Sequence, residues 1–385
     1  MIFKILNILF TSKLNFFPPK KNKYLIFDLE SKKILSKIFK LNKFSILHVR
    51  KEQINFFILL KTFLNFKFSY FDYIINYIKF TQPKLIITSI DNNIAFYKIK
   101  YEFNVLTIFF QNGQRLSHND IFSILRNKNK KKITQNFSVD LMNVFDQTTS
   151  NNFLKIIKGT TNISGSILNN DRKISKFKKN NKTLLFISLW REKKIEQDKT
   201  DLLLKILKNF SIKNNLKLLI LGKYKLDLIK ESFRANEEKI YYFNLLGNKI
   251  KFISNNSKRD TYKILDQSDI IVSTGSTLGI ESLARQNKTI IISPFPNIYP
   301  LNKNYFTYYN GMRKQGPFWF NGFDKYSIEK LLKKVKNLKQ SNWKKISKNF
   351  QNEIPKYDQG NRDLKKSLKS FLEKNGIEAA NKLLK

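Results

Sequence analysis

Residues 269–296 read DIIVSTGSTLGIESLARQNKTIIISPFP. Two apolar runs are joined by a small polar cluster, Ser273-Thr274-Gly275-Ser276-Thr277, and by a helical pattern carrying one acid, Glu281. A Ser or Thr at such a junction caps the helix by accepting a first-turn N–H. The same geometry binds phosphate: the positive end of the helix faces the anion, and the hydroxyls of Thr274, Ser276 and Thr277 add donors. Gly275 lets the backbone approach closely. Glu281, one turn further on, is placed to accept a pair of ribose hydroxyls.

Other strand ends carry related chemistry. In SIDNN (89–93), Asp91 is a candidate general base that removes a proton from an acceptor hydroxyl, with Asn92 and Asn93 beside it. The competing role for Asp91 is the N-cap of a helix expected at 93–103. In QNGQR (111–115), Asn112-Gly113 is a turn signal, while Gln111, Asn112 and Arg115 supply a hydrogen-bonding edge. His118, five residues past Gly113, is a second candidate base, or else a solvated loop histidine. Asp28 and Glu30 form a carboxylate pair at the end of the first strand, and His48 reads as a packed histidine. Arg191 in SLWREKK is suited to clamping a diphosphate bidentately, and Lys223 can add a point charge. The aromatic stretch GPFWFNG (316–322) either stacks on a ligand or, as we favour, packs under the C-terminal helices. No Walker loop, Rossmann glycine fingerprint, H-E-x-x-H or Asp-x-Asp pair stands in a suitable context, so we expect a metal-independent reaction with no cofactor. The helix dipole, hydroxyls and Arg191 would offset the charge on a leaving diphosphate.

The elements that must hold these residues alternate along the chain. Apolar runs at 24–30, 44–50, 84–91 and 105–111 read as buried strands, with 139–146 and 160–166 continuing the series. Helical patterns lie at 52–66, 70–80 and 93–103. A polar stretch, 169–182, reads as a linker, after which strands recur at 183–190, 216–222, 249–254, 269–274 and 289–294. Helices at 199–210, 226–236, 260–267 and 277–286 separate them, and a lysine-rich helical tail begins at 326. The expected class is therefore α/β. An N-terminal domain (1–168) and a second domain (183–325) each hold a Rossmann-like parallel sheet, followed by the tail, 326–385. Ligands of such sheets bind beyond the carboxyl ends of the strands, here in a cleft faced by both domains.

The 385 residues lack cysteine and hold only two histidines, which removes thiol nucleophiles, disulfides and multi-histidine metal sites. The net charge is +43. A nucleic-acid partner would need a localised basic patch. The lysines are instead spread along a chain also rich in Asn, Ile and Phe, all with A/T-rich codons. We therefore read the charge as compositional and expect no specific nucleic acid, while weak contact with an anionic inner-membrane surface is compatible with it. The opening MIFKILNILF is interrupted by Lys4 and Asn7, and reads as an interfacial or packed segment rather than a signal peptide.

The stretch DIIVSTGSTLGIESLARQNKTIIISPFP resembles the C-terminal nucleotide-sugar domain of GT-B glycosyltransferases. The resemblance implies that the helix opening at Gly275 and Ser276 meets the pyrophosphate and that Glu281 holds the ribose. Gln286-Asn287 replaces that family's usual turn glycine. YLIFDLES, FSILHVRKEQIN, PKLIITSIDNNIAFYKIK, FFQNGQRL and SGSILNN together resemble bacterial surface-carbohydrate biosynthesis proteins of polysaccharide and lipopolysaccharide pathways. Related enzymes often carry His-Gly where Asn112-Gly113 stands, so a histidine base at that point is excluded. The resemblance implies a cytoplasmic enzyme, peripheral at the inner membrane, that moves a sugar from a nucleotide-activated donor to a glycan or lipid-linked acceptor. Rival readings are a nucleotide-sugar 2-epimerase or CDP-alditol phosphotransferase on the same fold, and a basic nucleic-acid-binding protein.

Overall fold

The computed structural model describes residues 12–66, 69–115, 121, 137–175, 182–190, 197–256, 260–293, 314–378 and 380–385. The stretch 1–10, His118, Arg191 and the linker residues 176–181 lie outside the described residues. The chain divides into two compact units, the first of residues 1–112, 121–171 and 358–385, the second of residues 113–120 and 172–357.

The first unit opens with β1 (Lys13–Asn15), β2 (Tyr24–Phe27), α1 (Ser31–Leu35), β3 (Ser45–Leu47) and β4 (Gln53–Asn55). It continues through α2 (Phe56–Leu64), α3 (Tyr70–Thr81), β5 (Leu85–Thr88), α4 (Ile94–Glu102) and β6 (Leu106–Phe110). β7 (Ser138–Val144), α5 (Gln147–Leu154), β8 (Lys158–Ile163) and α6 (Ile167–Asn170) follow. The main sheet is parallel in the order β3-β2-β5-β6-β7-β8. Alternation along the strands splits the core into two layers. Leu25 and Phe27 join Ile86 and Phe109 on one face, whereas Ile26 joins Leu85, Ile87, Ile108 and Phe110 on the other. Both faces are covered, so each strand reads as an unbroken apolar run.

The second unit runs β9 (Thr183–Ile187), α7 (Gln197–Lys213), β10 (Lys217–Lys225), α8 (Ile229–Leu246), β11 (Lys251–Asn255) and α9 (Thr261–Gln267). Then come β12 (Ile270–Ser273), α10 (Thr277–Ala284), β13 (Thr289–Ser293), β14 (Trp319–Asn321), α11 (Lys325–Asn337) and α12 (Gln340–Lys348). Its sheet is parallel in the order β11-β10-β9-β12-β13-β14. A buried ion pair braces it: Arg285 donates to both oxygens of Asp266 (2.8 and 2.5 Å) and to the carbonyls of Arg172 and Lys173 (2.9 and 3.0 Å). The former linker is thereby fixed, since Ser175 also donates its N–H to Asp266 (2.8 Å).

Three findings differ from the sequence expectations. The short strands β1 and β4 pair with each other outside the main sheet, and their length leaves almost no periodic signal. GPFWFNG contains an unexpected strand, β14, although its neighbour Phe318 packs on Trp343 of α12 and on Phe350 (centroids 5.9 and 5.3 Å apart), in line with the packing we favour. The helical tail is divided. α11 and α12 stay with the second unit, whereas α13 (Arg362–Lys374) and α14 (Ala380–Leu383) return to the first. There Leu364, Leu368, Leu372 and Leu383 complete the layer around Ile26 and Phe110.

Candidate functional site

In each sheet two adjacent strands lead away in opposite directions, leaving a crevice beyond their carboxyl ends. In the first unit these strands are β2 and β5; in the second they are β9 and β12.

The crevice of the first unit is closed by its own side chains. Asp28, buried and in left-handed backbone (φ 91), accepts the N–H of Glu30 (2.9 Å) and the Nε–H of Arg50 (2.8 Å). Ser31 Oγ lies 3.2 Å from Thr88 Oγ1 and accepts the N–H of Ser89 (2.9 Å). Asp91 is fully buried, and its Oδ1 accepts the N–H of Asn112 (3.2 Å), tying the end of β5 to the end of β6. Tyr97 donates its hydroxyl to the Asp91 carbonyl. Asp91 does not cap the next helix: Asn93 is the N-cap of α4 and accepts the N–H of Ala95 (3.0 Å), while Asn92 is exposed. Gln111 Oε1 accepts the N–H of Phe145 (2.8 Å) and so joins β6 to β7. His48 is half-buried, and burial lowers its pKa below the usual imidazole value against the opposing pull of Glu52 and Asp28.

The second crevice is built differently. Ser273, the last residue of β12, is fully buried, and its Oγ accepts the N–H groups of Gly275 (3.4 Å) and Ser276 (3.1 Å). Ser276 is the N-cap of α10 and accepts the N–H of Leu278 (3.3 Å). Capping is thus the observed role of the Ser276 hydroxyl, while Ser273 braces the turn that precedes it. Thr274 is buried, whereas Gly275 is exposed at φ 113, and among the described residues beyond its chain neighbours no atom lies within 4 Å of where a Cβ would stand. The segment 113–120 belongs to this unit, and Gln114 donates its N–H to Thr277 Oγ1 (3.0 Å). Gly113, Gln114 and half-buried Arg115 therefore lie by the helix opening, bringing together two stretches far apart in sequence. Glu281 is buried and accepts the hydroxyl of Tyr262 (3.0 Å), whose pKa is raised well above its usual value by burial and then by this carboxylate.

Beside the opening, at the ends of β9 and β10, Glu238 organises a network for which no local motif exists. It accepts the hydroxyl of Ser188 and the N–H groups of Lys223 (3.0 Å) and Tyr224 (3.2 Å). Burial raises its pKa above the usual carboxylate value despite these donors. Lys223 donates to the Trp190 carbonyl (3.3 Å) and sits over the Tyr224 ring (4.6 Å from its centroid). Gly279 was also missed. A Cβ there would fall 2.5 Å from Ser273 Cβ, so glycine is what lets α10 pack on β12. A lone glycine inside a helical pattern was its only signal.

A cavity of about 1170 Å³ lies at the opposite, amino edge of the second sheet, near Lys182, Asp269, Lys288 and Lys336. Its position removes it from the crevice chemistry. Among the described residues no group of three or more His, Asp or Glu is placed to hold a metal ion, and no helix is long and apolar enough to cross a membrane.

The fold and sequence have relatives. Residues 108–373 match the model of a family described as "putative O-antigen biosynthesis protein". No curated protein matches the sequence. Among solved structures, a "putative UDP-N-acetylglucosamine 2-epimerase" from Listeria monocytogenes aligns at 12% identity over 92% of this chain and 98% of its own, with a TM-score of 0.55. MnaA of S. aureus, solved with UDP, aligns at 11% identity over 91% and 97%, with a TM-score of 0.54. A variant of the wall teichoic acid polymerase TagF soaked with CDPG aligns at 13% identity over 92% and 90%, with a TM-score of 0.51. At these identities the likeness establishes the fold, two parallel-sheet domains of GT-B type.

Proposed function

We propose that this chain, which belongs to that O-antigen biosynthesis family, transfers a glycosyl group from a nucleotide-activated donor to a glycan or lipid-linked acceptor of surface polysaccharide or lipopolysaccharide. The observation that carries the reading is the opening of α10. A capped helix of eight residues begins at the carboxyl edge of the second sheet, beside an exposed glycine whose Cβ position is open among the described residues. Such a terminus attracts a diphosphate through its positive end and first-turn N–H groups. Thr277 and the neighbouring Gly113–Arg115 segment would border that diphosphate, and Glu281 would hold the ribose while sharing its carboxylate with Tyr262. Arg191 would supply a further charge.

In this reading the first unit binds the acceptor. Asp91 serves as the base, with His118 the other candidate and Asp28, Asn92, Asn93, Gln111 and Asn112 at the acceptor edge. Asp91 must then reach the acceptor hydroxyl from the buried position it occupies beside Asn112. The charge appearing on the leaving nucleoside diphosphate is met by the helix terminus and its hydroxyls, with no metal assigned a part. The enzyme would work in the cytoplasm, peripheral to the inner membrane.

Two measurements test this. Nucleoside diphosphates and nucleotide sugars should raise the melting temperature, by an amount equivalent to about 2.7 kcal/mol at a hundredfold excess over Kd. Purified protein given a nucleotide sugar should then release nucleoside diphosphate only when acceptor is present. An epimerised sugar without acceptor would assign the fold to epimerisation instead, and absence of stabilisation by any nucleotide would reject the donor site.

A further inference from the structure

One cluster of large apolar side chains faces solvent in the first unit. Phe17 is 80% exposed, Leu64 69%, Phe16 62% and Leu60 48%, all within one segment of about fifty residues that starts at β1. α2 is apolar on two sides, unlike an ordinary sheet-covering helix, which buries a single apolar stripe: Ile58 lies in the core with Leu59 packed against it, and a second apolar row faces out. Its buried residues are the i, i+4 pair Ile58 and Thr62, whereas Phe56, Leu60 and Leu64 repeat at the same spacing on the opposite side. The surface is ordered. Asn55 caps α2, accepting the N–H of Ile58 (3.0 Å), and donates to the carbonyl of Phe17 (2.7 Å). The rings of Phe16 and Phe56 lie 5.3 Å apart.

The rim of this face is basic. Lys13, Lys20, Lys21 and Lys61 are exposed, and residues 12–66 hold twelve Lys or Arg against three Asp or Glu. That charge decides the occupant. A second copy docking the same face on itself would set one basic rim against another, and like charges across an interface repel. A bilayer containing anionic lipid satisfies both parts at once, taking Phe and Leu into the acyl boundary while lysines reach headgroup phosphates.

We propose that the outward face of α2, with Phe16 and Phe17, is a docking surface for an anionic membrane. It does not depend on the transfer reading, because it needs neither donor nor acceptor. The full chain should co-float with vesicles of mixed phosphatidylcholine and phosphatidylglycerol and bind vesicles of phosphatidylcholine alone much less. Combined Phe17→Ser, Leu60→Ser and Leu64→Ser should lower the partition coefficient at least tenfold without altering the melting temperature, since all three side chains face water. Each of Lys20→Gln, Lys21→Gln and Lys61→Gln should lower it by about fivefold. Full vesicle binding by the triple variant would overturn the proposal. So would loss of binding on deletion of residues 1–11 alone, which would make that stretch the anchor. Concentration-dependent dimerisation, abolished by the triple variant, with no vesicle binding would assign the face to a second copy and overturn it too.

Discussion

The two sheets present their crevices in opposite conditions. That of the first unit is laced shut: Asp28 to Arg50, Ser31 to Thr88, Asp91 to Asn112 and Gln111 to Phe145. That of the second unit ends in an exposed glycine and the positive end of a helix. Strand order locates a crevice in both, but the side chains at the strand ends decide whether it is filled from within or left for a ligand. Under the proposed function the difference would also divide labour. A closed, hydrogen-bonded edge holds a carboxylate at fixed geometry, while an open one accepts a charged group from outside.

The comparison breaks first at Asp91. If the closed edge supplies the base, Asp91→Asn should lower turnover by about 10²- to 10⁴-fold while donor affinity stays within about twofold, read from steady-state kinetics and donor titration. Unchanged turnover would reduce Asp91 to the tie between β5 and β6. Next in size, Gly279→Leu should destabilise the chain by about 3 kcal/mol in denaturant unfolding, because the new side chain meets Ser273 and forces α10 off β12. An unperturbed melt would mean that the open edge does not depend on that close approach. Gly275→Val should cost about 1–2 kcal/mol through its left-handed backbone and weaken donor binding at least tenfold by occupying the space at the helix opening. Undiminished donor affinity would remove the phosphate from this terminus.

The smallest effect concerns Glu238. Its folded pKa lies above the usual 4.5, so the native state retains a proton that the unfolded chain has lost. Stability then falls as pH rises from about 4.5 through the folded value and levels off above it. Glu238→Gln should remove that decline from a series of melting temperatures against pH, and an unchanged slope would assign it to other groups.

The sheets were legible because strands buried on both faces are continuous apolar runs, and the α10 junction because a hydroxyl cluster between such runs has few uses. Other features were hidden for physical reasons. The cap of α4 is Asn93 rather than Asp91, since either side chain can accept a first-turn N–H and only the backbone path chooses between them. Ser273 reads as one more hydroxyl in its cluster until its burial beneath Gly279 is seen. Glu238 is an ordinary helical acid in sequence; its role comes from the distant strand end it meets. The return of α13 to the first unit leaves no local trace, because any amphipathic helix can cover any apolar face.

That return has a bearing on synthesis. The layer around Ile26, Phe39 and Phe110 is completed by Leu364, Leu368, Leu372 and Leu383, residues translated after the strands of both sheets. The second unit, drawn almost wholly from residues 172–357, has its sequence in hand earlier. A nascent chain can therefore close its later unit while the earlier one still waits, with one face of its sheet only partly covered, for α13 to leave the ribosome.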